Sequence, residues 1–433
     1  MPKTIANMTW KLQYKLSNTV TFVALISLFF SVTNLIYVSA VASAIILVLL
    51  PLFSIALLKA PKQGIEHTNQ PQPRNILIAA LTFYLFAIFS MVLIEPKAFL
   101  NFRFYRYDAN FILSYAAFLL LPFYTNKLKI QTVFICLIVF VALMQIPAML
   151  YEYTHGNYTA KYRHYYSLIV YFPFWKHLFS STSAAAGFYS IISALCFARW
   201  HTTRSNTFLA IFLFLLLCIF FTTSRTSALA IISGIVAWQF CRIKQLKLIP
   251  IVSIIAILLI EVSLTHKYLH IHQAVISADQ YIQEQQPEIT TVKSKNIYRR
   301  LINYWPPALE RFIENPLLGS GFSTYNDRPN ITFNDQHAHN SYLHIAAEQG
   351  LIGLLIVLSL WYWIYGYIHT LDQHSWIKNG LQIAFWSILY SSCAGHRLTT
   401  PAMIIPFSLI LLLYSGYCMG EKQLSSAQTS AVE

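Results

Sequence analysis

The sequence predicts an all-α polytopic membrane protein, and three observations carry that prediction. Hydrophobic residues make up 56% of the 433 residues, charged residues only 11%, and mean hydropathy is +0.52, whereas a soluble chain carries roughly a quarter charged residues. Apolar stretches close to the ~20 residues that cross a bilayer recur along the whole chain. Lysine and arginine collect at alternate ends of these stretches, as the positive-inside rule requires.

By length and flanking charge, about twelve spans follow. Leu16–Val32 and Leu35–Leu58 come first. Basic residues ahead of them and the Ala40-Val-Ala42 run mimic a signal peptide, but the apolar region is too long and flows into a second span, so it reads as an uncleaved anchor. Asn75–Ile94, Ala109–Tyr124 and Ile130–Leu150 continue the series, followed by Thr182–Arg199, Thr207–Phe221, Thr226–Phe240 and Leu248–Leu264. Ser341–His369, Gly380–Ala394 and Ala402–Met419 complete it, and Tyr165–Phe174 is short enough to be interfacial or re-entrant.

The inner loops then hold Lys3, Lys11, Lys15, Lys59, Lys62, Arg74, Lys127, Lys129, Arg199, Arg204, Arg242, Lys244 and Lys247. Both termini are expected inside. The chain divides into an N-terminal bundle of about nine spans (residues 1–264), a large outer loop with amphipathic helices (265–340), about three further spans (341–420) and a disordered cytoplasmic tail (421–433).

The net charge of +14 is scattered over loop ends. It reads as topology determinants facing anionic lipid, and nucleic acid is not an expected partner. The six cysteines lie in or at the ends of spans with no metal-type spacing, so neither a disulfide framework nor a zinc site is expected. No internal repeat or pair of broken helices of the transporter kind is visible, which weighs against a solute transporter.

Three outer segments are long enough to build something. Glu95–Asp108 carries Arg103 and Arg106. Tyr151–Ser181 is crowded with aromatics and bases, among them Tyr153, Tyr158, Tyr162, Arg163, His164 and Trp175; such residues serve as interfacial anchors and are also sugar-stacking surfaces. In the large loop, Tyr268, Leu269, Ile271, Val275, Ile276 and Ile282 pattern as one surface helix, and Ile297, Leu301, Tyr304, Leu309 and Phe312 as another. Pro306-Pro307 should break or kink the second, and a turn should follow at Asn315-Pro316 with Gly319 and Gly321.

Candidate chemistry gathers on the outer side. Arg225, in Thr222-Thr-Ser-Arg-Thr-Ser-Ala228, sits at the junction of two spans among hydroxyls. It either snorkels or faces an anion, and its fork suits bidentate phosphate contact. Arg299 and Arg300 precede Tyr304-Trp305 and form either a headgroup-binding face or further phosphate donors. His337 and His339 open the tenth span; a neutral imidazole tethered to a helix start suits proton abstraction from a hydroxyl, while a structural interfacial role stays open. Glu348 lies two turns into that span and can orient a histidine or pair with an arginine, and Gly350 and Gly353 predict close helix packing. Glu261, His396 and Arg397 are weaker candidates at outer span ends.

Several motifs together resemble the bacterial O-antigen ligase and O-antigen polymerase superfamily: Ser224-Arg225 at a helix start, Arg300-x(4)-Trp305-x(3)-Leu309, Asn315-Pro-Leu-Leu-Gly-Ser-Gly321, His339-Asn-Ser-Tyr-Leu343 and Glu348-Gln-Gly-Leu-Ile-Gly353. The resemblance covers roughly residues 208–360. It implies a GT-C-type membrane glycosyltransferase in the bacterial inner membrane. Such enzymes work on the periplasmic face, moving glycan from undecaprenyl diphosphate to an acceptor without cofactor or obligatory metal. By matched motif, His339 is the expected catalytic base, and Arg225 with Arg300 or Arg299 the donor-diphosphate ligands. His337, Asn340, Glu348, Trp305 and Tyr342 are supporting candidates.

Size, span number and the single large late loop favour O-antigen ligase, with lipid A–core oligosaccharide as acceptor. O-antigen polymerase is the nearest alternative, kept open by Tyr151–Ser181. Protein O-oligosaccharyltransferase is a third, disfavoured by the short C-terminal tail. Because no third ligand accompanies His337 and His339, transfer in excess chelator is expected to match the untreated rate; metal-dependent turnover would reopen the zinc reading.

Overall fold

The computed structural model describes residues 73–94, 182–221, 225–266, 304–321, 338–371 and 375–395, with isolated positions at 300, within 134–143 and within 398–418. All regular structure among these residues is helical. The helices are α1 (Pro73–Ile94), α2 (Thr182–Thr203), α3 (Asn206–Phe221), α4 (Arg225–Arg242), α5 (Ile249–His266), α6 (Trp305–Glu314), α7 (Ser341–Thr370) and α8 (Trp376–Cys393). Seven of these overlie apolar stretches read from the sequence as spans; α6 lies in the large loop. The expected spans before Asn75 and at Ala109–Tyr124 lie outside the described residues.

A helical membrane protein inverts the usual surface. Leu85, Phe89, Leu229, Val236, Val252, Leu259, Leu355 and Tyr362 point outward and are exposed, a pattern that water would penalise and hydrocarbon does not. Two helices, Ile249–His266 and Ser341–Thr370, are long and apolar enough to cross a bilayer. Several buried hydroxyls are satisfied within their own helix: those of Ser190, Ser387 and Ser392 donate to the carbonyls of Ala186, Ile383 and Ile388 one turn back, at 2.8, 2.8 and 2.7 Å.

Helix α8 is the central member, packed on α2, α4 and α7. Its backbone comes close to Gly234 of α4, where a Cβ would sit 2.7 Å from the Ile383 carbonyl oxygen. The Trp238 indole donates to Gln382 Oε1 at 3.2 Å. The two helices therefore run antiparallel, with the start of α4 directed toward the end of α8. Tyr342 and Ser341, at the start of α7, dock at that same end: the Tyr342 hydroxyl donates to the Leu389 carbonyl at 3.1 Å and the Ser341 hydroxyl to the Gly395 carbonyl at 3.0 Å. At the opposite end, the Lys378 ammonium donates to the carbonyls of His369 and Leu371 at 2.8 and 2.9 Å, closing the C-terminus of α7 with a cation where its dipole favours one.

Helix α7 departs from the sequence expectation of one unbroken span. Gly350 has φ 64 and ψ −166, a backbone region essentially confined to glycine. It divides a short segment, Ser341–Gln349, from the run Leu351–Thr370, whose length of about 30 Å matches a bilayer core. The break exposes carbonyls on one side and amides on the other, and the turn after α6 takes up both. Ser320 N and Gly321 N donate to the carbonyls of Ala347 and Glu348 at 2.9 Å each, while Leu351 N and Ile352 N donate to the carbonyls of Pro316 and Leu317 at 2.8 and 3.3 Å. The Ser320 hydroxyl adds a bond to Ala347 O at 3.1 Å. Contact is so close that a Cβ on Gly319 (φ 69) would meet the Glu348 carbonyl oxygen at 2.6 Å.

Three expectations change accordingly. Gly350 does allow a close approach, but to the backbone of Leu317 in the turn after α6 and by breaking the helix, and at Gly353 the space is filled by the Gln349 side chain. Glu348 precedes the break and belongs to the short segment, not to the continuous span. Pro306 and Pro307 occupy the first turn of α6, where a missing N–H costs no helical bond, so they start a helix instead of kinking one.

Gly350→Ala is expected to lower the melting temperature of the detergent-solubilised protein, because the methyl group would run into the Leu317 carbonyl and the backbone angle alone costs about 1–3 kcal/mol for alanine. An unchanged melting temperature would show that the break is dispensable.

Candidate functional site

The site forms where three chain segments meet: the end of α5, the lead-in to α6 and the start of α7. Asn340 is the N-cap of α7; its Oδ1 accepts from Leu343 N at 3.0 Å, and it adopts the extended backbone that caps favour. Its Nδ2 donates to Glu261 Oε2 at 2.7 Å, across 79 residues of chain. Asn340 is 2% exposed, so both ends of its amide are committed.

His339 immediately precedes this cap and has φ 51, the left-handed conformation that few non-glycine residues adopt. Helix propagation cannot continue backward through that angle, so the imidazole hangs at the head of α7. Its ring centroid lies 4.9 Å from that of Tyr304, the N-cap of α6. One turn back from Tyr304, Arg300 is held in the field of Glu261: burial lowers the guanidinium pKa, and the Glu261 carboxylate, with Tyr304, raises it again. A guanidinium, an imidazole and a carboxyl group thus come from three segments to one corner.

Of the sequence candidates, Arg300, His339 and Asn340 come together here. Trp305 is buried in the first turn of α6. Tyr342 is 5% exposed and its hydroxyl donates to the Leu389 carbonyl, which ties α7 to α8. Glu348 does pair with a histidine, but with His344 one turn earlier, at 3.5 Å. Arg225 is the first residue of α4, a helix whose start lies toward the same end of α8 at which the head of α7 docks. Arg299, His337, His396 and Arg397 lie outside the described residues.

Glu261 is the member that sequence reasoning undervalued. It is flanked by Leu258, Leu259, Ile260 and Val262, and no motif includes it. The only available signal was the cost of a carboxylate in that setting.

Ser341 extends the site in another direction. Its hydroxyl donates to Gly395 O at 3.0 Å and accepts from Leu398 N at 3.1 Å, tying the segment after α8 to the head of α7. Among the described residues, no three His, Cys, Asp or Glu side chains converge as a metal centre would need.

Asn340→Ala is expected to cost about 1 kcal/mol of stability through the lost cap, and Asn340→Ser to recover most of it, since a serine hydroxyl caps nearly as well. Equal melting temperatures for all three proteins would refute the capping role.

Residues 210–358 match the family model described as O-antigen ligase. This stretch runs from α3 through the break in α7 and includes every segment that meets at the site. No curated protein matches the chain.

Proposed function

We propose, taking the O-antigen ligase family domain at residues 210–358 as premise, that the protein transfers O-antigen glycan en bloc from undecaprenyl diphosphate to a hydroxyl of lipid A–core oligosaccharide. The observation that carries this reading is the packing of His339 against Tyr304, one turn from Arg300, at the head of a helix fixed by its own cap. On this reading His339 serves as a proton acceptor beside a cation, at the boundary between water and lipid. A lipid-linked donor needs this arrangement, because its diphosphate must sit at the headgroup level while its tail stays in hydrocarbon.

The reaction assigned to these residues is a direct displacement. The acceptor hydroxyl gives its proton to His339 as its oxygen attacks the anomeric carbon. The bond from that carbon to the diphosphate oxygen breaks, and undecaprenyl diphosphate leaves with the electron pair. Arg300 and Arg225 neutralise the charge that grows on the departing phosphate, a role worth about 3–4 kcal/mol per donor in comparable sites. Proton removal contributes about 10²–10⁴-fold. One displacement inverts the anomeric configuration, and no cofactor enters the scheme. Multi-pass insertion in the inner membrane, with this corner facing the periplasm and both termini cytoplasmic, belongs to the same proposal.

Deletion of the gene followed by gel analysis of lipopolysaccharide tests the acceptor. Loss of all glycan on core with lipid-linked polymer accumulating is expected. Core bearing one repeat unit would make the protein a polymerase, and normal lipopolysaccharide with unglycosylated protein would make it a protein glycosyltransferase. His339→Ala is expected to abolish transfer at unchanged protein level. Arg225→Lys should impair transfer although the charge is kept, because a point charge lacks the bidentate fork; full activity in either variant removes that assignment.

A further inference from the structure

We propose that Tyr304 is a positioning residue for His339: its ring holds the imidazole at the head of α7 and steadies the positive charge that the imidazole gains on taking up a proton. The inference deepens the function proposed above, and rests on it for the acceptor hydroxyl that supplies that proton.

The two rings are brought together by a pair of helical arms. α6 runs ten residues, Trp305–Glu314, and the segment Ser341–Gln349 is nearly as long, so each arm reaches about 13–15 Å. One end of the pair is bound at the break in α7, where Leu351 N donates to Pro316 O at 2.8 Å and Ser320 N to Ala347 O at 2.9 Å. Along the seam Ala308, Ala338 and Ala347 pack in one fully buried cluster, and side chains this small let backbones approach closely. Tyr304 stands at the head of α6 and His339 just ahead of α7, so the arms meet at their other end ring against ring. Pro306 and Pro307 stiffen the turn directly behind Tyr304.

The ring centroids are 4.9 Å apart and the planes 36° apart. At that angle neither ring stands edge-on to the other, and at that distance they are too close to lie side by side, so their faces overlap. The negative face of an aromatic ring attracts a cation within about 6 Å of its centre. A neutral imidazole gains little from such a face. An imidazolium gains more, and that is what His339 becomes when a hydroxyl proton passes to it. Tyr304 is 9% exposed, so water does little to weaken the contact. Were the ring only filler, leucine would serve as well.

The other charged or titratable groups near the imidazole, among the described residues, are Arg300 one turn before Tyr304, Glu261 at Asn340, and the His344–Glu348 pair farther along α7. All are kept when Tyr304 is changed, so a difference between variants reports the ring. A face that favours the protonated imidazole moves proton uptake to higher pH, and losing the face moves it to lower pH.

Full-length protein in lipid nanodiscs carries either Tyr304→Phe, which keeps the face, or Tyr304→Leu, which keeps bulk without it. Two curves are measured against pH. One is kcat/KM for transfer from the glycan-bearing undecaprenyl diphosphate to lipid A–core oligosaccharide. The other is acylation of His339 by diethyl pyrocarbonate, read by peptide mass spectrometry; the reagent attacks neutral imidazole and needs no turnover. Tyr304→Phe is expected to keep kcat within about threefold and the wild-type midpoint of both curves. Tyr304→Leu is expected to lose about tenfold in kcat with donor KM within about threefold, and to shift both midpoints about 0.5–1 pH unit toward acid.

Wild-type midpoints in Tyr304→Leu overturn the proposal, as does a kcat loss in Tyr304→Phe equal to that in Tyr304→Leu. Either midpoint decides alone. If Tyr304→Leu does not fold, Tyr304→3,5-difluorophenylalanine takes its place, because fluorine keeps the ring's shape and weakens its negative face; a midpoint equal to that of Tyr304→Phe then overturns the proposal. A wild-type protein that is acylated at His339 but transfers no glycan to lipid A–core would sink the ligase reading, while the acylation midpoints still judge Tyr304.

Discussion

A helix interrupted beside a membrane must have its freed amides and carbonyls satisfied by protein, because hydrocarbon offers no substitute. At Gly350 that requirement is met by one turn, Asn315–Gly321, which supplies acceptors to Leu351 and Ile352 and donors to Ala347 and Glu348. Everything at the site hangs from this junction. The turn fixes where α6 ends, and α6 in turn carries Tyr304 at its cap. The break fixes how far the short segment Ser341–Gln349 stands off the long one, and its first residues carry Asn340 and His339. Two glycines of opposite chain segments, Gly319 and Gly350, allow the backbones to meet without side chains between them.

The apolar helices were legible in the sequence because length and composition alone identify them. α4, α5 and α8 fall within a few residues of the expected stretches, which needs no knowledge of what they pack against. His339 and Arg300 are conspicuous in the sequence as polar groups beside apolar runs. The conformation of Gly350 was not legible, since its left-handed angle makes sense only with the Leu317 carbonyl in place, some thirty residues earlier in the chain. The partner of Glu261 was hidden for a similar reason. Its hydrogen bond spans 79 residues, and no local pattern anticipates a contact at that separation. The bond from the Tyr342 hydroxyl to α8 was not legible either, because the His-Asn-Ser-Tyr-Leu motif says nothing of the helix it packs on.

A division of labour emerges within the motifs. Asn315–Gly321 and the stretch Glu348–Gly353 are devices of backbone geometry, and their glycines and turn residues are spent on each other. Arg300, His339 and Asn340 carry the polar groups that a substrate could meet. Ser341 and Tyr342 fasten the head of α7 to α8 and to the segment beyond it. Chemistry at a lipid boundary needs this much scaffolding, because a misplaced donor or base there cannot be rescued by bulk water.

The Lys378 ammonium at the far end of α7 has a bearing on the lipid around it. With its tail closed by that cation and its head fastened to the Asn315–Gly321 turn and to α8, this long apolar rod cannot slide along its own axis. Bilayers thinner or thicker than its length must then deform around it, at a modest cost for each ångström of mismatch. The depth of the imidazole relative to the protein is thus insulated from acyl-chain length, and changes in membrane composition fall on the surrounding lipid.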